Sequence, residues 1–377
     1  MDEERYMGEA LKLAQRAIGR TSPNPMVGAV IVRNGQIVGR GWHQKAGTPH
    51  AEIHALNEAG PLAAGSAIYV TLEPCSHTGR TGPCAEALIQ AGIKKVVVAM
   101  TDPNPLVAGR GLELLRKAGI EVVEGVMASQ AARLNESFIK WITTGGPFVA
   151  LKTAMTLDGK IATYTGHSRW ITSPESRRVV HSLRNQYDAI LVGIGTVLAD
   201  NPELTTRLPE GGKNPIRIIL DSEARTPLAA KVVTDGQAQT IIAVTARAPA
   251  ERIEVLRQAG VEVLMLPEGP KGVSLEALFK MLGSRMITSI VVEGGSTVNG
   301  AIIDANLADK LFWFIAPKLV GGCHAPNPVG GQGVSSMEEA IQIEDLEWKQ
   351  VGPDILLIGD FKNREGRYVY RTCGRIG

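Results

Sequence analysis

Between His50 and Cys84 the chain carries one imidazole and two thiols, in the order His50-Ala51-Glu52, Pro74-Cys75 and Pro83-Cys84. These side chains supply three of the four tetrahedral positions that zinc prefers and leave one for water. Glu52, two residues past the histidine, can carry protons to and from that position. The set constrains the fold strongly, because ligands from separate segments must converge on one ion. A closed structural zinc site is the alternative, and it would need His54 or His77 as a fourth ligand.

The surrounding pattern supplies the elements that such convergence needs. Met7, Leu11, Ala14 and Ile18 recur at helical spacing, and the segments 27–32 and 37–42 flank Asn34-Gly35 as a hairpin. A helix is predicted to begin near Ala51, with His50 and Glu52 at its first turn, and a strand over 68–72 ends at Glu73-Pro74-Cys75. Cys84 opens a helix over 85–91 after a Gly-Pro pair, and a helix start favours the thiolate form that zinc takes. Histidine, glutamate and two cysteines in this order match the signature of zinc nucleobase deaminases. The usual Pro-Cys-x-x-Cys spacing is not kept, since Ser76 to Pro83 separate the cysteines. His77, inside that insert, is expected to face substrate, and His54 to be a surface or packing histidine.

A deaminase fold is used up by about residue 145, yet the chain has 377 residues, enough for a second core. The net charge of +2 and the 5% aromatic content give neither the basic surface nor the stacking platform of a nucleic-acid editor, so a small-molecule substrate is favoured. Four cysteines, two of them assigned to metal, make no disulfide framework. Without an apolar leader or a membrane-length run, the chain reads as cytoplasmic. Strands over 94–100 and 121–126 alternate with helices over 111–118 and 128–142, an α/β sandwich. Polar loops at Asn24 and at Asp102-Pro103-Asn104 are either ligand contacts or plain turns.

Gly145-Gly146-Pro147 marks a boundary, giving expected domains at 1–145 and 146–362 and a polar tail at 363–377. The second domain opens on a strand over 148–153, followed by an Asp158-Gly159 turn and a return strand. Lys152 is the one charge in that apolar strand and is expected to face a cleft; a lysine that snorkels to solvent is the bland alternative. A helix follows over 174–184. Residues 187–197 read as a buried strand that breaks into a Gly-x-Gly-Thr turn, and strands are predicted over 214–220 and 240–245. The strand over 287–292 ends in Glu293-Gly294-Gly295-Ser296-Thr297 before another helix, an order that suits a diphosphate cradle. A capping turn made by Ser296 is the competing explanation.

Taken together, SPNPMVGAVIV, HAEIHAL, EPCSHTGRTGPC, KTAMTLDGKIAT, SRWIT, DAILVGIGTVLADNPELTTR and VVEGGSTVNG resemble the bifunctional riboflavin-biosynthesis family of RibD, also called RibG. The resemblance covers nearly the whole chain, and the long cysteine spacing is that family's own. It implies a cytidine-deaminase-like three-layer α/β/α domain and a dihydrofolate-reductase-like α/β domain. By resemblance, His50, Cys75 and Cys84 bind one zinc per chain and Glu52 moves protons. Asn24, His43, His77, Asp102 and Asn104 contact the pyrimidine substrate. In the reductase half, Lys152, Ser168, Arg184, Leu204, Arg207 and Glu293 match substrate positions, with both arginine forks suited to a phosphate. Ala154, Trp170, Thr196, Asp200, Ser222 and Gly295, Ser296, Thr297, Val298, Asn299, Gly300 and Ala301 match NADPH positions. Ser222 with Arg225 would suit the cofactor's 2′-phosphate, provided that Asp221 points away. Which of Lys152 and Glu293 handles protons stays open. A homo-oligomer is implied. Deamination alone, a base editor and a zinc-stabilised scaffold are the remaining alternatives.

Overall fold

The computed structural model describes residues 2–76, 82–104 and 107–362, in two compact units that meet in sequence at Gly145 and Gly146. His77 and the tail expected at 363–377 lie outside the described residues.

The first unit runs α1 (Asp2–Gln15), β1 (Gly28–Arg33), β2 (Gln36–Trp42), α2 (Ala51–Ala59), β3 (Ala67–Val70), α3 (Cys84–Gln90), β4 (Lys95–Val98), α4 (Arg110–Lys117), β5 (Glu121–Glu124), α5 (Ala128–Leu134) and α6 (Glu136–Thr144). Its sheet has the order β2-β1-β3-β4-β5, with β1 antiparallel to both neighbours and β3, β4 and β5 parallel. Strand alternation sends Ala29, Ile31, Ile68 and Val96 into one core with residues of α2, α3 and α4. The intervening Val30, Val32, Tyr69 and Val97 pack with Met7 and Leu11 of α1 and Ala131 of α5. Both sheet faces are therefore covered, which makes three layers. The single helix expected over 128–142 is instead two, because Asn135 leaves helical geometry to bond Met26. Its side chain accepts from the Met26 amide at 2.7 Å and donates to the Met26 carbonyl at 3.0 Å.

The second unit runs β6 (Phe148–Thr156), α7 (Pro174–Gln186), β7 (Ala189–Gly193), α8 (Ile194–Asp200), β8 (Ile216–Leu220), α9 (Lys231–Thr234), β9 (Thr240–Val244), α10 (Ala250–Gln258), β10 (Glu262–Met265), β11 (Glu268–Gly269), β12 (Gly272–Val273), α11 (Leu275–Ser284), β13 (Ser289–Val292), α12 (Ser296–Asp304), β14 (Lys310–Ala316), β15 (Ile343–Val351) and β16 (Asp354–Phe361). A small hairpin joins β11 to β12. The main sheet has the order β10-β9-β8-β7-β13-β6-β14-β16-β15, parallel from β10 to β14 and antiparallel across β16 and β15. The continuous apolar runs of β7, β9 and β13 follow from this burial on both faces.

Two further sequence expectations need correction. The return strand after Asp158-Gly159 does not form. The Ile161 amide donates to the Pro326 carbonyl instead, and β6 finds parallel partners in β13 and β14. The expected Gly-x-Gly-Thr turn is a direct strand-to-helix junction, with Gly193 as the N-cap of α8. Gly193 and Gly294 share a packing reason: a Cβ at either would lie within 2.8 Å of the Val298 side chain.

Gly28 is where α1 meets the sheet, since a Cβ there would lie 2.0 Å from the Ala10 carbonyl oxygen and 2.8 Å from the Ala14 amide. Neither contact can be relieved by a side-chain rotation. Gly28→Ala should cost about 1–3 kcal/mol or more, as overpacking does. Denaturant unfolding measures this, and an unchanged midpoint would contradict the close seating of α1 on β1.

Candidate active sites in the two units

His50 is the N-cap of α2, Cys75 follows the end of β3 by five residues, and Cys84 is the first residue of α3. Their donor atoms all lie within 4.8 Å of one another. His50 Nδ1 is 3.3 Å from Cys84 Sγ and 3.6 Å from Cys75 Sγ. A tetrahedral zinc with Zn–S of about 2.3 Å and Zn–N of about 2.0–2.1 Å would separate N from S by about 3.6 Å, so the donor triangle fits that ion. The Cys84 amide donates to Cys75 Sγ at 3.3 Å, a bond that orients the sulfur and favours its thiolate. Hydrogen bonds from the Cys84 thiol and His50 hold the Cys75 pKa down to about 4 against the effect of burial. The same pairing and burial push Cys84 up. His54 stands outside the donor group, which leaves the closed four-ligand alternative without that histidine.

Glu52 points into the buried first turn of α2 and is only 3% exposed. Burial raises its pKa, charge on His50 lowers it and the Cys75 thiolate raises it again, with the result at about 7. A carboxyl balanced there can both take and give a proton at neutral pH. His43 packs edge-on to His50, with ring centroids 5.4 Å apart. Burial lowers the His43 pKa and favours the neutral ring. With Nδ1–H donating to the Pro49 carbonyl at 3.2 Å, Nε2 accepts from Asn24 Nδ2 at 3.2 Å. The structure thus brings Asn24 and His43 together beside a proposed ligand. Asp102 and Asn104 form their own turn, in which the Asn104 amide donates to Asp102 Oδ1 at 2.9 Å.

In the second unit the register builds the site. Val292 of β13 pairs with Leu151 of β6, so the next residues, Glu293 and Lys152, emerge side by side. Lys152 Nζ is 3.5 Å from Glu293 Oε2, and Arg184 from α7 binds the same carboxylate through Nε at 2.6 Å and Nη2 at 2.9 Å. All three side chains are at most 15% exposed. Lys152 is therefore a buried, paired lysine and does not snorkel. Burial lowers its pKa, only partly offset by Glu293. Burial alone would raise Glu293, but Arg184 and Lys152 outweigh it and hold the carboxyl at about 2.

The expectation of two open arginine forks is corrected for Arg184. Glu293 occupies one edge of its guanidinium, and Nη1 donates to the Thr205 carbonyl at 3.0 Å. Arg207 is more exposed, pairs with Glu203 at 2.8 Å and reaches Thr205 Oγ1 at 3.1 Å. Leu204, buried between them in sequence, takes the left-handed backbone conformation at φ 54°. His181 was missed by sequence reading: its Nδ1 accepts from the Arg207 amide at 3.3 Å. Burial, with Arg184 and Arg207, drives its pKa to about 4, so it is a neutral acceptor.

Several of the expected cofactor positions follow strand ends: Thr196 and Asp200 after β7, Ser222 after β8, and residues 295–301 after β13. Gly295 caps α12 with no side-chain bond, so the capping role considered for Ser296 is not used, and a Cβ on Gly295 would enter open space. Asn299 donates to the Pro328 carbonyl at 2.9 Å and keeps a buried, unpartnered Oδ1. Free helix-start amides, an open glycine and an unpartnered acceptor fit a phosphate-bearing dinucleotide. Thr196 and Asp200 lie on α8, and Arg169 donates to the Asp200 carbonyl at 2.7 Å. Trp170 is 63% exposed, with the Arg177 guanidinium 4.4 Å from its ring centre, while Ser168 and Ala154 are half-buried. Asp221 turns inward and accepts from the Thr226 amide and hydroxyl, both at 2.7 Å. Ser222 has Arg247 as a neighbour through Gly272, whose added Cβ would lie 2.5 Å from Ser222 Oγ and 3.8 Å from Arg247 Nη2. Arg225 leans on Glu223 instead. Arg247 lies far along the sequence, on the loop after β9, where no local motif marks it.

Residues 147–357 match the family described as RibD C-terminal domain, and residues 1–100 match the cytidine and deoxycytidylate deaminase zinc-binding region. The riboflavin biosynthesis protein RibD of Bacillus amyloliquefaciens is 46% identical over 371 residues, covering 98% of this chain and 100% of its own. The chain belongs to the RibD family. The Escherichia coli K12 RibD is also 46% identical, over 95% of this chain and 99% of its own. Among solved structures, an Acinetobacter baumannii RibD superposes with a TM-score of 0.86 at 39% identity, covering 96% and 99% of the two chains. A Thermotoga maritima diaminohydroxyphosphoribosylaminopyrimidine deaminase/5-amino-6-(5-phosphoribosylamino)uracil reductase gives 0.83 at 38%, with the same coverage. Like its RibD relatives, this chain is a bifunctional riboflavin-biosynthesis enzyme, with a zinc deaminase domain and a reductase domain. Among the described residues, no helix is long and apolar enough to cross a membrane.

Glu293 generates a pH prediction. Its folded pKa, about 2, lies below its ordinary value of 4.5. The stabilisation it contributes is thus complete above about pH 4.5 and is lost as pH falls toward 2. Glu293→Gln should flatten that part of the acid-unfolding curve. At neutral pH it should cost about 3–5 kcal/mol, because two buried cations lose their counter-ion. An acid limb identical to wild type would contradict the assignment.

Proposed function

We propose that residues 1–145 deaminate 2,5-diamino-6-ribosylamino-4(3H)-pyrimidinone 5′-phosphate and that residues 146–362 reduce the product's ribosyl group with NADPH, giving 5-amino-6-ribitylamino-uracil 5′-phosphate. The observation that carries this reading is the zinc-sized triangle of His50, Cys75 and Cys84 beside a buried glutamate at about 7. One zinc per chain would be held by these three residues; when bound, it supplies a Lewis acid that brings the pKa of water to about 7. Glu52 takes the proton of the attacking water and returns it to the departing amine, so the correspondingly substituted uracil and ammonia form. Asn24, held by the neutral His43, offers the rest of its amide to the pyrimidine, while the His43 ring lines the site, with His77, Asp102 and Asn104 as further contacts.

In the reductase half, bound NADPH would supply the hydride that the anomeric carbon of the ring-opened imine needs. Glu293, a carboxylate at neutral pH, orients Lys152 and Arg184 and cannot serve as the acid. Lys152 is the cation of this group that can release a proton, because arginine stays charged. It supplies the proton that the imine nitrogen gains as hydride adds. Arg207 meets the substrate phosphate, with Ser168, Leu204 and Arg184 shaping the pocket. Ala154, Trp170, Thr196, Asp200, Ser222 and residues 295–301 would hold the cofactor, with Ser222 and Arg247 suited to its 2′-phosphate. The substrate is a small molecule, neither nucleic acid nor membrane is engaged, and the site of action is the cytoplasm. The exposed apolar side chains Leu346 and Trp348 on edge strand β15, with Ile355 on β16, support a homo-oligomer.

Glu52→Gln should keep about one zinc per chain while deamination falls roughly 10²-fold or more. Metal analysis and ammonia release test this together, and full activity in the variant would remove Glu52 from its role. Cys75→Ser should lose zinc and deamination yet keep NADPH oxidation on supplied deaminated intermediate. Loss of both activities in a folded protein would show that the two sites are coupled.

A further inference from the structure

Glu73 lies two residues before the proposed ligand Cys75 and is 4% exposed. The mechanism above does not use it, and its carboxylate is met by four backbone amides. Oε2 accepts from Asp102 at 3.1 Å and Gly109 at 2.9 Å, and Oε1 accepts from Gly111 at 2.8 Å and Leu112 at 3.4 Å. Its own amide donates to the Met100 carbonyl at 3.0 Å. One side chain thus joins the segment after β3, the residues after β4 and the start of α4.

The packing at this point is as tight as the bonding. A Cβ on Gly111 would lie 2.0 Å from the Pro74 carbonyl oxygen and 3.2 Å from Glu73 Oε1, so α4 begins directly against the Glu73-Pro74 pair. Asp102, held at its amide by Glu73, in turn holds the Asn104 amide at 2.9 Å. A charged acceptor shared by several amides makes strong, directional bonds and leaves no lone pair for proton transfer. Its effect must be positional.

We infer that Glu73 is a positioning residue for deamination, fixing Asp102 and Asn104 relative to Cys75 so that the pyrimidine meets a preset loop; this rests on the deaminase reading above. Glu73→Gln is nearly isosteric but turns an NH2 group toward two N–H donors. It should keep about one zinc per chain and normal NADPH oxidation on supplied intermediate. Deaminase kcat/KM should fall about ten- to a hundredfold, chiefly through KM. Glu73→Asp, which keeps the charge on a shorter arm, should recover part of that loss.

Amide hydrogen exchange supplies a readout that does not depend on activity. In wild-type protein the amides of Asp102, Gly109, Gly111 and Leu112 should exchange slowly, and in Glu73→Gln they should speed up together. Fast exchange in the wild type, or an unchanged KM in a folded Glu73→Gln, would overturn the inference. Loss of zinc from Glu73→Gln would also overturn it, by assigning the residue to the metal site. A wild-type protein that releases no ammonia would instead sink the deaminase reading itself.

Discussion

Parallel pairing makes neighbouring strands release their chains at one edge of the sheet, and both sites are built on that constraint. In the first unit, Val70 pairs with Val98, so the chain after β3 leaves beside the chain after β4 and the Glu73 amide reaches the Met100 carbonyl. The same exit carries Cys75 toward the starts of α2 and α3, where His50 and Cys84 wait. In the second, the pairing of Leu151 with Val292 delivers Lys152 and Glu293 together. A shift of one residue would turn these side chains to the opposite face.

Burial then acts on two glutamates with opposite results. Glu52 has a desolvated carboxyl beside a thiolate and rises to about 7, the balance that a proton carrier needs. Glu293 is also largely withdrawn from solvent, yet Arg184 and Lys152 hold it at about 2, where it can only be a counter-ion. Partners decide the role, because the desolvation cost is common to both. The same logic lowers Lys152 by burial, which Glu293 only partly offsets.

Local patterns were legible where one segment carries its own signal. The Asn34-Gly35 hairpin, the helix starts at Ala51 and Cys84, and the glycine loop before α12 all stand where the residues predict them. Failures came where a distant partner decides. Asn135 breaks a helix because of Met26, and the segment after Gly159 bonds near Pro326 rather than returning along β6. The convergence of His50, Cys75 and Cys84 could be anticipated from residue type and order alone. The closure of Arg184 by Glu293, the bond from the Arg207 amide to His181, and the proximity of Arg247 to Ser222 join residues far apart in sequence, which no periodicity encodes.

The central claim is that one chain carries two consecutive chemistries on one phosphoribosylaminopyrimidine. Ammonia release and NADPH oxidation followed together on that substrate test it most directly. The account requires both, with ammonia appearing first and one NADPH consumed for each ammonia released at completion. Ammonia without any NADPH oxidation, or NADPH oxidation with no ammonia, would contradict it.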